Sequence, residues 1–188
     1  MWFISTIFPR LALALRLAAA APWLPPEVAY AHAEAANAAA TEQVPAELLL
    51  GIAFVESRFD PTAVSRVEGH TRKTGHYASR DAPPGLDRRA SLYCGPLQTY
   101  AASWSSCIAM RDLGTGYAAA VAELTQWLRD PRVHGSTTRA LAGHGCGNRG
   151  VLTGQCNGYP ARVLDMTRRF RDHDPARPQT APRAVASI

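Results

Sequence analysis

Residues Leu48 to Ser65 read LLLGIAFVESRFDPTAVS, and this stretch limits the possible folds more than any other. Apolar residues at 48, 49, 52, 53, 55 and 59 describe a helix buried inside an α-domain, because so wide an apolar surface cannot face water. One carboxylate, Glu56, falls near the end of that helix. A carboxyl group in apolar surroundings keeps its proton near neutral pH, since desolvation disfavours the charged form. A protonated carboxylic acid can then protonate a leaving oxygen. A Glu at a helix edge is more often a solvated end or an ion-pair partner, so Glu56 gains weight only from the motifs downstream of it.

The rest of the chain reads as mostly helical. Pro25-Pro26 opens a helix over Glu27 to Ala40, proline being tolerated in a first turn. Pro45 starts the helix that carries Glu56, and Pro61 is expected to end it. From Arg66 to Leu92 no helical period is visible, and a loop of this length inside a compact domain is usually a functional flap or a disordered insertion. Tyr100, Trp104 and Ile108 at i, i+4 and i+8 predict an amphipathic helix over 99–111. Tyr117, Val121, Leu124 and Leu128 predict the next, stopping at Asp130-Pro131. Ser136 or Thr137 caps a shorter helix through Ala142. Pro160 starts the last, with Val163, Met166, Thr167 and Phe170 on one side. The proline-rich tail 173–188 has no period and is expected to be disordered.

At 188 residues the chain fits one domain with a sizeable core. Its formal charge is +5, and Lys73 is the only lysine, so the positive charge is nearly all arginine. A basic surface suits an anionic polymer. No basic run is interleaved with aromatics, so nucleic acid is not expected as the partner. Four cysteines, Cys94, Cys107, Cys146 and Cys156, make an even set, which favours disulfides in an oxidising compartment and permits three pairings. The most local pairing, Cys94 with Cys107 and Cys146 with Cys156, would staple the Gly95–Gln98 turn and the loop after His144. A metal site of Cys146, Cys156 and His144 is the competing reading, but no C-x-x-C spacing supports it, and neither metal nor cofactor is expected. In the first 21 residues the apolar stretches are interrupted by Pro9, Arg10 and Arg16, so no membrane span is uninterrupted. An imperfect export signal or membrane-associated leader fits 1–21 better than a folded element. The domain is expected over 22–172.

The order of the motifs points further. Glu56-Ser57, Phe59, Pro61 and Ala63-Val64-Ser65 match the pattern E-S-x-F-x-P-x-A-V-S at every fixed position. Gly95-Pro96-Leu97-Gln98 stands downstream in the place of G-L-M-Q. Ala140 to Gly147 aligns with A-L-A-A-Y-N-A-G, with His144 at the tyrosine and Gly145 at the asparagine; Tyr159 precedes the last helix. Over roughly Pro26 to Phe170 the chain resembles the soluble lytic transglycosylase and goose-type lysozyme superfamily.

That resemblance implies a mainly α, lysozyme-like domain, with a long insertion after the catalytic helix and room for a small hairpin. It implies an exported, periplasmic or extracellular monomer acting on peptidoglycan glycan strands. Glu56 would be the single acid/base of a lytic transglycosylase. Ser57 and Gln98 would hold the sugar or its acetamido group, His144 would line the cleft, and Tyr159 would bond the Glu56 carboxyl. Two alternatives stand beside this. A lysozyme or chitinase-like hydrolase would need a second carboxylate, with Asp60, Glu68, Asp81 and Asp87 as candidates. A cell-wall binding module without turnover would explain the altered third motif.

Overall fold

The computed structural model describes residues 4–68, 71–82 and 91–172, leaving out the side chains of 4–10, 68 and 71–74. Among these residues the protein is mainly α, with seven helices and one four-stranded antiparallel sheet. The helices are α1 (Ile4–Ala20), α2 (Pro26–Ala39), α3 (Ala46–Ser57), α4 (Trp104–Ala109), α5 (Leu113–Arg129), α6 (Thr137–Thr153) and α7 (Tyr159–Asp172). The strands are β1 (Ala63–Glu68), β2 (Thr71–His76), β3 (Ser91–Cys94) and β4 (Thr99–Ala101), in the order β2-β1-β3-β4.

Helix α3 is the centre of the core, as its composition requires. Leu48 through Ala53 are all buried. It lies against α7 at Gly51, where a Cβ would stand 2.7 Å from Thr167 Oγ1 and 2.9 Å from the Val163 carbonyl. Only glycine lets the two backbones come this close. On α7, Val163, Met166, Thr167 and Phe170 are buried, the stripe expected from the sequence, together with Tyr159 and Pro160 at its start. Helix α5 spans the predicted segment, buries Tyr117 and Leu124, and stops before Pro131. His32 on α2 is buried beside both: its Nδ1 is 3.0 Å from Tyr117 Oη, and its ring meets Phe59 edge-on.

Several expectations need correction. Helix α3 ends at Ser57, before Pro61, because Arg58 and Phe59 both turn left-handed, with φ of 58° and 66°. Strands β1 and β2 pair antiparallel, with Arg66 opposite Lys73, so the small hairpin has a place and the segment expected to be a flap or disordered insertion begins with regular structure. Residues 69–70 and 83–90 of that segment lie outside the described residues, as does the tail 173–188. The helix expected over 99–111 is divided. Tyr100 sits on β4, where it opposes Tyr93 of β3, and α4 starts only after Ser103, whose side chain accepts from Ser106 N. Strand pairing and a serine cap together outcompete the apolar period. Helix α6 continues past Ala142 to Thr153, with one non-helical residue at Gly147.

Residues 4–20, expected to stand apart from the domain, form α1 and pack on α2 and α7. Leu13, Leu17 and Ala21 recur every four residues and are buried in the same core as α3. Such a stripe is what lets a helix dock. Among the described residues no helix is long and apolar enough to cross a membrane.

Two disulfides close the structure, and they are the local pair. Cys94–Cys107 ties β3 to α4, and Cys146–Cys156 ties α6 to the approach to α7. Both are consistent with a secreted protein. Since Cys146 and Cys156 are bonded to each other, the thiolates needed for a metal site with His144 are absent.

Candidate active site

The last turn of α3 presents Glu56 to a cavity of about 770 Å³. The opposite wall is α5. Ala119, Ala122, Glu123, Gln126, Trp127 and Asp130 line the cavity, a spacing of three and four residues that marks one continuous face of the helix. A shallower hollow continues from it along the same face, sharing Ala122, Gln126 and Asp130 and adding Thr125 and Arg129. At 1.5 Å per residue, 119 to 130 spans roughly 17 Å, which gives an elongated cleft. Tyr93 and Tyr100 on neighbouring strands add aromatic surface, and Gly143 to Gly147 of α6 close the far side.

The structure brings together three of the predicted site residues: Glu56, Gln98 and His144 all line this cleft. Glu56 is only partly buried, so the apolar helix delivers the carboxyl group to the cleft without enclosing it. Gln98 is almost fully buried and holds a left-handed backbone, with φ of 50°. Its Nε2 donates to the carbonyls of Ala63 and Gly95, each at 3.0 Å. Its Oε1, itself out of solvent, has no hydrogen-bond partner among the described residues, and the same holds for Thr99 Oγ1 beside it.

Ser57 and Tyr159 stand behind the wall. Ser57 Oγ donates to the Pro96 carbonyl at 2.8 Å and accepts from Asp60 N at 3.0 Å, so it fastens the end of α3 to the turn that holds Gln98. Tyr159 is buried against Gly145, where a Cβ would lie 2.8 Å from its ring and 3.0 Å from Cys156 Sγ. The asparagine of the resembling motif has no room here. The tyrosine ring and the disulfide fill the space that its side chain would need.

His144 is the most constrained group in the cleft. Its side chain is 1% exposed, with Nδ1 3.0 Å from Glu123 Oε1 and Nε2 3.1 Å from the Leu97 carbonyl. Burial alone would lower its pKa. The hydrogen bond and charge of Glu123, with the smaller contribution of the Glu56 charge, carry it above the ordinary histidine value. For Glu123 burial works upward, but His144, the Tyr100 N–H and the Trp127 side chain hold the carboxyl below its usual range.

Among the described residues the carboxylates lining the cleft are therefore Glu56, Glu123 and Asp130. Asp130 accepts from the Arg132 guanidinium at 2.6 and 2.9 Å. Of the expected second carboxylates, Asp60 is bonded to Thr62 and His76, and Asp81 is exposed in the 77–82 segment. Asp87 and the side chain of Glu68 lie outside the described residues. Glu123 and Trp127 were not anticipated from the sequence. The signal for them was present, as a second helical stripe beside the buried one on α5.

No protein-family model matches the chain, and no curated protein or solved structure matches it either.

Proposed function

We propose that the protein cleaves peptidoglycan glycan strands as a lytic transglycosylase, with Glu56 as its acid/base. One observation carries the choice: Glu56 opens on an elongated cleft whose other carboxylates among the described residues, Glu123 and Asp130, are committed to His144 and Arg132. Inverting hydrolysis needs a second carboxylate to activate water, and retaining hydrolysis needs one as nucleophile. A single-carboxylate route asks for neither.

In that route Glu56 protonates the glycosidic oxygen between MurNAc and GlcNAc. The acetamido oxygen of MurNAc closes on C1 as the bond breaks, and the C6 hydroxyl then displaces it. Glu56 takes the hydroxyl proton, and the strand ends in a 1,6-anhydro ring without water being consumed. Trp127, Tyr93 and Tyr100 offer ring faces to the sugars, and Gln98 holds the 95–98 turn at the cleft wall through Ala63 and Gly95. An oxidising, cell-wall compartment, periplasmic or extracellular, fits both the bridges and this substrate.

The test is mass spectrometry of fragments released from sacculi by the wild-type protein and by Glu56→Gln. Anhydro fragments, one water lighter than hydrolysis products, are expected from the wild type and not from the variant. Reducing-end products would establish the hydrolase instead. Binding to sacculi without any product would make the protein a wall-binding module.

A further inference from the structure

Among the described residues that line the 770 Å³ cavity beside Glu56, His144 is the only basic side chain, and it is out of solvent. The proposed reaction gives it no proton to move. We propose that His144 is a positioning residue, an imidazolium clamped between Glu123 and the Leu97 carbonyl that joins α5, α6 and the 95–98 turn into one wall and frees that turn on deprotonation.

Donors and acceptors around the ring decide its charge. A carbonyl only accepts, so the nitrogen facing Leu97 carries a hydrogen. The other nitrogen faces a carboxylate, and a neutral ring has one N–H for these two acceptors. Either the ring is charged or Glu123 is protonated. Glu123 is also met by the Tyr100 N–H and the Trp127 side chain, and donors on several sides favour the ionised carboxylate. The proton therefore sits on His144. The groups that face the ring agree. Glu123 on α5 and Glu56 on α3 both favour the cation, and Tyr159 on α7 lies with its ring centroid 6.3 Å away. Tyr93, Tyr100 and Asp130 line the same cleft.

Loss of the proton leaves one acceptor without a donor inside a dry wall. The one remaining N–H goes to the Glu123 carboxylate, the stronger acceptor, so the turn loses its tie to α6, and with it a support of Gln98, whose own bonds run to Ala63 and Gly95. The effect on turnover rests on the proposed glycan cleavage. The charge state of the ring does not.

Nitrogen-15 NMR of the imidazole rings tests the charge first, on unliganded protein at neutral pH, with His144 assigned by its proximity to the Tyr159 ring. Both nitrogens of His144 are expected to be protonated in the wild type, and only Nε2 in Glu123→Gln. A neutral ring in the wild type overturns the proposal, whatever the protein does to glycan. Turnover is the second readout. Glu123→Gln, whose neutral ring keeps its Nε2–H on the Leu97 carbonyl, is expected to abolish the alkaline limb of kcat. His144→Gln, which can still donate to Leu97 but has no proton to lose, is expected to turn over more slowly and without that limb. A limb that Glu123→Gln leaves in place overturns the positioning role. A doubly protonated His144 in a protein that releases no fragments would uphold the clamp and defeat the glycan reading.

Discussion

Ser57 Oγ and the Pro96 carbonyl stand 2.8 Å apart, so the side chain next to Glu56 is what holds the Gly95–Gln98 turn against the end of α3. The hydrogen bond fixes the acid and the amide relative to each other from behind the cleft. Its donor also accepts from Asp60 N and thereby shapes the left-handed exit of the helix.

Ser57→Ala is therefore expected to cost about 1 kcal/mol of stability, the usual net worth of one such bond, measured by urea unfolding. Its kinetic effect should fall on KM more than on kcat, because Gln98 moves and Glu56 does not. A loss of turnover as complete as that of Glu56→Gln would mean that Ser57 touches the substrate.

Acid should weaken the fold through His32. Burial holds its pKa down at about 4, against an ordinary 6.5, and outweighs the hydrogen bond to the Phe59 backbone. A depressed histidine contributes stability that is present above 6.5 and is lost as pH falls toward 4, because the unfolded chain takes up a proton that the folded one refuses. Below both values the loss is roughly 3 kcal/mol. Unfolding curves across this window should show the slope in the wild type and a flatter profile in His32→Gln.

Gly51→Ala should destabilise the protein by about 1 to 3 kcal/mol, the usual cost of overpacking. The new methyl would press on the Val163 carbonyl and Thr167 Oγ1, and the carbonyl cannot turn away. Thermal unfolding measures it. Because α3 carries Glu56 and α7 begins at Tyr159, the same change should lower kcat even where the protein remains folded.

Opening the Cys146–Cys156 bridge should affect the cleft more than opening Cys94–Cys107. Each closes a short loop, with separations of 10 and 13 residues, and each should be worth about 2 to 4 kcal/mol. Only Cys146 lines the cleft, however. The paired substitution Cys146→Ser with Cys156→Ser is thus expected to raise KM beyond what its stability loss explains. Equal kinetic effects from the two pairs would contradict this.

Much of the helical frame could be read from the sequence because it depends on local period. Tyr117 and Leu124 of α5, and Val163, Met166 and Phe170 of α7, repeat at helical spacing and are buried as that spacing demands. The sheet could not be read in the same way. Tyr100 fits a helical period with Trp104 and Ile108, yet its backbone is taken by Tyr93, a partner seven residues back. Within the site, the motif singled out Glu56, which does line the cavity, but the neighbours of His144 come from 21 and 47 residues away. No local pattern encodes such a meeting. The same holds for Ser57, which the resemblance expected to face the substrate and which the structure turns toward Pro96.

Gly145 carries a consequence for how this cleft can change. An asparagine at 145 would collide with the Tyr159 ring and Cys156 Sγ together, so no single substitution restores the resembling motif. Asparagine there would require the Tyr159 ring or the Cys156 sulfur to move, so substitutions at 145, 156 and 159 are expected to be non-additive in stability, which a double-mutant cycle measures.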